Sequence, residues 1–248
     1  MTKVSTPNGA PNLAVNRRSS SKFWPVRFYS TAVGKKWVMA LTGIMLMGFV
    51  FAHMIGNLKM YLGAEDIDAY GHALRTLLHP IMPDMVVLWM MRLGLIAALL
   101  LHLHAAITLT QMNRRARPVG YQSKRDYIAA NFASRTMRWS GLIVLVFIFF
   151  HLKDLTFGTG GAAWTEEHIY ANIDASLSRP IVAGFYILAN LLLGIHLYHG
   201  AWSLFQSLGV NNPRYNTLRR RFAQGFAAII VIGNVSFPIA VLAGVVGK

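Results

Sequence analysis

Five stretches of the chain are long and apolar enough to cross the hydrocarbon layer of a bilayer, a feature that excludes most other folds at once. Crossing takes about 20 apolar residues in a helix. The stretches run Trp37 to Leu58, Met85 to Thr110, Trp139 to Leu155, Pro180 to Leu208 and Phe222 to Val246. The third is short, and is expected to span with Lys153 snorkelling or where the bilayer thins. The expected class is all-α: a polytopic membrane protein of five transmembrane helices, four forming a core with a fifth beside them. At 54% hydrophobic and 13% charged residues over 248 positions, the composition is too apolar for a soluble domain of this size.

The formal charge of +15 matters by its placement. Lys3, Arg17, Arg18, Lys22, Arg27, Lys35 and Lys36 precede the first span. Arg114, Arg115, Arg117, Lys124, Arg125, Arg135 and Arg138 lie between the second and third, and Arg214, Arg219, Arg220 and Arg221 between the fourth and fifth. These are 18 of the 24 basic residues. Basic loops stay in the cytoplasm, so the N-terminus is expected inside and the C-terminus outside, in a bacterial inner membrane. Residues 1–29 form the expected cytoplasmic tail, disordered over 1–22, and 30–248 the membrane domain. No apolar run in the tail could be the core of a cleaved signal.

Trp37, Trp89, Trp139 and Trp202 fall near span ends, where an amphipathic ring belongs. Pro180 opens the fourth helix, where its missing N–H costs nothing. Ile67, Tyr70, Leu74, Leu77 and Leu78 recur at helical spacing among acidic residues, the pattern of an amphipathic helix lying on the outer surface. Gly158 to Gly161 lacks the strand, helix start and Lys of a phosphate cradle, and is expected to be an outer turn.

Six of nine histidines fall in spans: His53, His102, His104, His151, His196 and His199. One such His is ordinarily an interhelical hydrogen-bonding residue. Four helices each offering one point instead to partners or a cofactor. At about 1.5 Å per residue, His53 lies about 25 Å beyond Lys36, and His151 about 18 Å beyond Trp139, on outward-running helices. His102 lies about 26 Å from Met85, and His196 about 24 Å from Pro180, on inward-running ones. An outer pair, His53 with His151, and an inner pair result. Facing imidazoles on different helices can fill both axial positions of haem iron, the arrangement of an electron carrier. A zinc site would need three or four ligands at one depth. No cysteine is present, which removes thiolate-bound haem and iron–sulfur clusters from this chain. His104 and His199 compete for the inner pair at similar depth. The small neighbours Ala98, Ala105, Ala106 and Gly200 favour His102 and His196, with His104 and His199 left to bond haem propionates or each other.

Several segments then resemble a known family. Ser30-Thr31-Ala32-Val33-Gly34-Lys35-Lys36, Met39-Ala40-Leu41-Thr42-Gly43 and His53-Met54-Ile55-Gly56-Asn57-Leu58 resemble the first helix of the dihaem cytochrome b anchor of succinate dehydrogenases and fumarate reductases. Leu109-Thr110 and then Asn113 to Pro118 resemble the family's segment after the second-helix ligand. Ser140-Gly141 before His151, and His196 with Gly200, Trp202 and Gly209, resemble the third and fourth helices. The likeness covers residues 30 to about 225.

That resemblance implies two b haems, a distal one held by His53 and His151 and a proximal one held by His102 and His196. It implies partners on the cytoplasmic side: a flavoprotein subunit carrying FAD and an iron–sulfur subunit. Electrons from succinate would pass to membrane quinone. Quinone reduction needs hydrogen-bond donors and a proton route. Ser30, Lys36 and Trp37 on the inside, and Tyr70, His79 and Asp84 on the outside, are the candidates. No flavin fingerprint occurs, so succinate oxidation belongs to the partner chains. A cytochrome b of a hydrogenase or formate dehydrogenase is the rival redox reading, against which the Asn113 to Pro118 motif speaks. A histidine-relay transporter would require acidic partners or broken helix pairs in the spans, which are nearly free of acids.

Overall fold

The computed structural model describes residues 23–116, 132–210 and 212–247. Among them the chain is predominantly helical, without strands, and five helices are long and apolar enough to cross a membrane. The protein is an all-α, multi-pass membrane protein. The disordered tail expected over 1–22 lies outside the described residues, as do Arg117, Pro118, Lys124 and Arg125.

A short helix α1 (Trp24–Ser30) packs on α2 (Ala32–Asn57), the first spanning helix. Thr31 separates them: its backbone is extended, and its hydroxyl accepts from the Gly34 N–H at 2.9 Å, supplying one of the donors a helix start leaves orphaned. The segment expected to be tail up to residue 29 is therefore helical from Trp24, and the first span begins at Ala32, five residues earlier than hydropathy marks it. A 3₁₀ turn (Leu58–Leu62) leads to α3 (Ala64–Arg75). Glu65 and Asp66 in its first turn and His72 and Arg75 in its last suit the helix dipole. Leu77 and Leu78 fall beyond α3 and are exposed, so the amphipathic helix is shorter than its apolar spacing suggests.

The second span is α4 (Val86–Ala116). The third, α5 (Phe132–His151), continues through a π-turn (Leu152–Thr156), which gives it full length and corrects the expectation of a short helix. A helix that the sequence pattern did not announce, α6 (Ile169–Leu177), precedes α7 (Pro180–Ser207), which Pro180 opens as expected. The last span, α8 (Asn216–Leu242), starts six residues before Phe222 because its first turns are basic yet anchored. Arg219 is buried, bonds Asn216 and the Val210 carbonyl, and lies over the Trp202 ring at 5.3 Å.

Neighbouring helices pack as α2 with α4, α5 with α7, and α7 with both α2 and α8. The pairs α2/α5 and α4/α7 make at most grazing contact. The bundle is thus two helical hairpins facing each other, open between α2 and α5 and between α4 and α7. One end, the basic end, carries the basic connections. At the other, the far end, Met60, Ile67, Ile173, Leu177, Tyr186 and Phe237 form one buried cluster that fastens α3 and α6 over the bundle. Burying a side chain such as Ile67 contributes roughly 1.5–3 kcal/mol.

Candidate functional site: two histidine pairs between helical hairpins

The two hairpins repeat a register. On α2 it reads Met39-x-x-Thr42-Gly43, then Phe49, then His53; on α5 it reads Met137-x-x-Ser140-Gly141, then Phe147, then His151, with identical spacings. Each hairpin's second helix adds two further imidazoles, of which His102 on α4 and His196 on α7 face these hydroxyls. The repeat is open to inspection of the sequence, and it identifies two hydroxyls, Thr42 and Ser140, that counting histidines overlooks.

At the far end, the rings of His53 and His151 meet across the α2/α5 opening with centroids 5.8 Å apart and planes at 84°. Phe49 stacks on His53 at 5.3 Å, and Phe147 lies 5.8 Å from His151, each one turn before its histidine. His53 retains an exposed surface although it lies well inside a spanning helix. His151 Nδ1 lies 3.4 Å from the Tyr186 hydroxyl, which donates to Asp154 Oδ2 at 3.1 Å.

Toward the basic end, His102 Nδ1 lies 3.2 Å from the Thr42 hydroxyl, and His196 Nδ1 lies 3.3 Å from that of Ser140. No ring contact or hydrogen bond joins these two imidazoles among the described residues. Small residues set each ring's seat. A methyl group on Gly43 would stand 3.6 Å from His102 Cε1, and one on Gly141 only 3.1 Å from His196 Cε1.

Three imidazoles therefore share one hydrogen-bonding logic. The Thr42 hydroxyl donates to the Val38 carbonyl at 2.7 Å, Ser140 donates to that of Met137 at 3.0 Å, and Tyr186 donates to a carboxylate. A hydroxyl has one proton. With that proton committed, each oxygen can only accept, so Nδ1 must carry hydrogen and Nε2 keeps its lone pair. A metal-binding imidazole needs this tautomer.

His104 is placed differently. Two residues along a helix turn the side chain through about 200°, which puts His104 on the face opposite His102. There it is exposed and lies 2.6 Å from the hydroxyl of Tyr29 on α1, with Lys35 Nζ 4.2 Å from the Tyr29 ring. Desolvation pushes the Tyr29 phenol above its ordinary range, so it stays protonated as a donor. His199, about 60° round the helix from His196, has no hydrogen bond among the described residues.

The expected quinone residues form no single cluster. Ser30 is exposed at the end of α1, donating to the Arg27 carbonyl at 2.7 Å; Lys36 and Trp37 are exposed in the first turns of α2. Tyr70 lies against Gly56, with Lys59 Nζ 5.8 Å from its ring. His79 pairs with Asp84 at 3.1 Å on the surface. Among the described residues no hydrogen bond joins Tyr70 to His79.

Fold and site together define a class: a five-span, all-α membrane protein with imidazoles, among them the His53–His151 pair, set between two like hairpins. The family model of the succinate dehydrogenase/fumarate reductase transmembrane subunit matches residues 113–235, which include His151 and His196. Over those residues the chain is similar to that family, whose members are membrane subunits of such a complex. No curated protein and no solved structure matches it.

Proposed function

We propose that this chain is the haem-carrying anchor of a succinate:quinone oxidoreductase, with one b haem between His53 and His151 and a second between His102 and His196. Bound there, haem iron supplies one-electron chemistry. The chain itself positions two groups at different depths, so that electrons arriving at the basic end from an iron–sulfur subunit can reach membrane quinone. That basic end is cytoplasmic in this reading, by the excess of Arg and Lys, and there the flavoprotein and iron–sulfur subunits dock.

The observation that carries the reading is the hydroxyl arrangement: Nδ1 of His102, His151 and His196 each faces a hydroxyl oxygen whose own proton has another acceptor, which favours hydrogen at Nδ1 and a free Nε2. The donor set fits the group. Two imidazoles on one iron, with metal–nitrogen bonds of about 2 Å, stand with ring centres on the order of 6 Å apart. His53 and His151 stand at 5.8 Å, across helices that barely touch. With both imidazoles engaged, the bound group would supply electron transfer rather than oxygen binding.

The test uses membranes containing the complex. Succinate should reduce a b-type absorbance, and deleting this chain should release the flavoprotein and iron–sulfur subunits into the soluble fraction. Partner subunits that stay membrane-bound without it would overturn the anchoring role.

A further inference from the structure

We propose that Asp154, acting through Tyr186, is the charged positioning residue of the far-end site: it fixes how His151 is held and lowers the redox potential of the group bound there. The proposal rests on the reading that His53 and His151 hold haem iron.

Asp154 is 3% exposed, at the membrane-spanning end of α5. A carboxylate in such a place is costly unless paired and hydrogen-bonded. Arg179 Nη2 donates to Oδ1 at 2.7 Å, and Ser176 donates to Oδ2, as does Tyr186. Arg179 is itself fixed to the carbonyls of Gly160 and Ser176, at 2.9 and 3.1 Å. Gly160 lies so close to Asp154 that any side chain there would collide with it. The π-turn Leu152–Thr156 brings the carboxylate to this point, three residues after His151; single π-turns within α-helices frequently mark functional positions.

A purely structural ion pair would need only Arg179 and Ser176. Tyr186 adds a second connection, because its oxygen faces both Asp154 and His151. The relay has a fixed direction: carboxylate accepts from phenol, and phenol accepts from Nδ1–H. Negative charge at one end of such a relay raises the electron density of the imidazole at the other, strengthening it as a ligand for the more positive, oxidised iron. Arg179 offsets part of this charge, but from Oδ1, the oxygen that does not face Tyr186. His53 has no hydrogen bond among the described residues, so the effect is one-sided. The hydroxyls on His102 and His196 lead only to backbone carbonyls.

The experiment is a redox titration of both haems in the purified complex, with electron paramagnetic resonance of the oxidised far-end haem. Tyr186→Phe keeps the ring against Phe147 and Phe150 and removes only the oxygen. It should raise the far-end potential by about 59 mV, a tenfold loss of preference for oxidised iron, and shift that haem's resonance. Asp154→Asn should act in the same direction, and the double variant should exceed the larger single effect little, since both residues act along one chain. The other haem should keep its potential. An unchanged far-end potential in Tyr186→Phe, or equal shifts in both haems, would overturn the proposal. A wild-type complex without haem, or His151→Leu retaining both haems, would overturn the proposed function and this inference with it.

Discussion

Toward the basic end, His102 and His196 are held alike, each by a hydroxyl on the neighbouring helix that occupies the same place in the repeated register. At the far end the two halves diverge: His151 leads through Tyr186 to the buried Asp154, while His53 is braced by the Phe49 ring. The second helices show where the repeat breaks. Tyr186 stands ten residues before His196, and the residue ten before His102 is Arg92, whose guanidinium lies 5.1 Å from the Trp89 ring. A repeated hairpin thus accounts for the two ligand sites proposed for this bundle, and departures from the repeat give one of them a charged surrounding. The lid of α3 and α6 reinforces the contrast, because it covers only the far end and α6 supplies Ser176 to Asp154.

Removing one ligand from each site tests the comparison most severely. His151→Leu should lose the far-end haem and keep the other, and His102→Leu or His196→Leu the reverse, read by haem content per chain. His104→Leu, altering the opposite face of α4, should keep both. Loss of a haem in His104→Leu with retention in His102→Leu would reverse the assignment. Next in size is the hydroxyl effect. Thr42→Val and Ser140→Ala each remove the hydroxyl partner of Nδ1–H and leave only the Met39 or Met137 backbone to accept it, and loss of such a partner typically costs roughly 10- to 100-fold in metal affinity. Both should weaken the same haem, measured by its loss on dilution or mild denaturation; weakening of the far-end haem would break the proposed symmetry. Smaller still, Gly141→Ala places a methyl at 3.1 Å from the His196 ring, an overpacking of about 1 kcal/mol, whereas the 3.6 Å available at Gly43 makes Gly43→Ala nearly silent. Equal losses from the two, measured by thermal release of haem, would contradict the seats described for these rings.

Much of the fold is legible in hydropathy, because in lipid a helix is the one way for an isolated apolar segment to satisfy its backbone. Helix ends are not, because caps and tertiary anchors set them: Thr31 starts α2 among polar residues, and Trp202 and Asn216 hold the basic first turns of α8. The nine residues of α6 carry too short a pattern to stand out, and they bury Ile173 and Leu177 in a cluster drawn from α3, α7 and α8. The histidines are visible by their cost in a membrane, and the opposite faces of His102 and His104 come from the helical angle. Asp154, Arg179 and Tyr186 are scattered over 33 positions whose meeting depends on a π-turn and a loop, and no spacing rule connects them.

The central claim is two haems held by two histidine pairs. Its most direct measurement is the haem content of the purified complex, combined with a reduced-minus-oxidised spectrum. Two b haems per copy of this chain are predicted, with a b-type band in the difference spectrum. One haem per chain, or no b-type band, would contradict it.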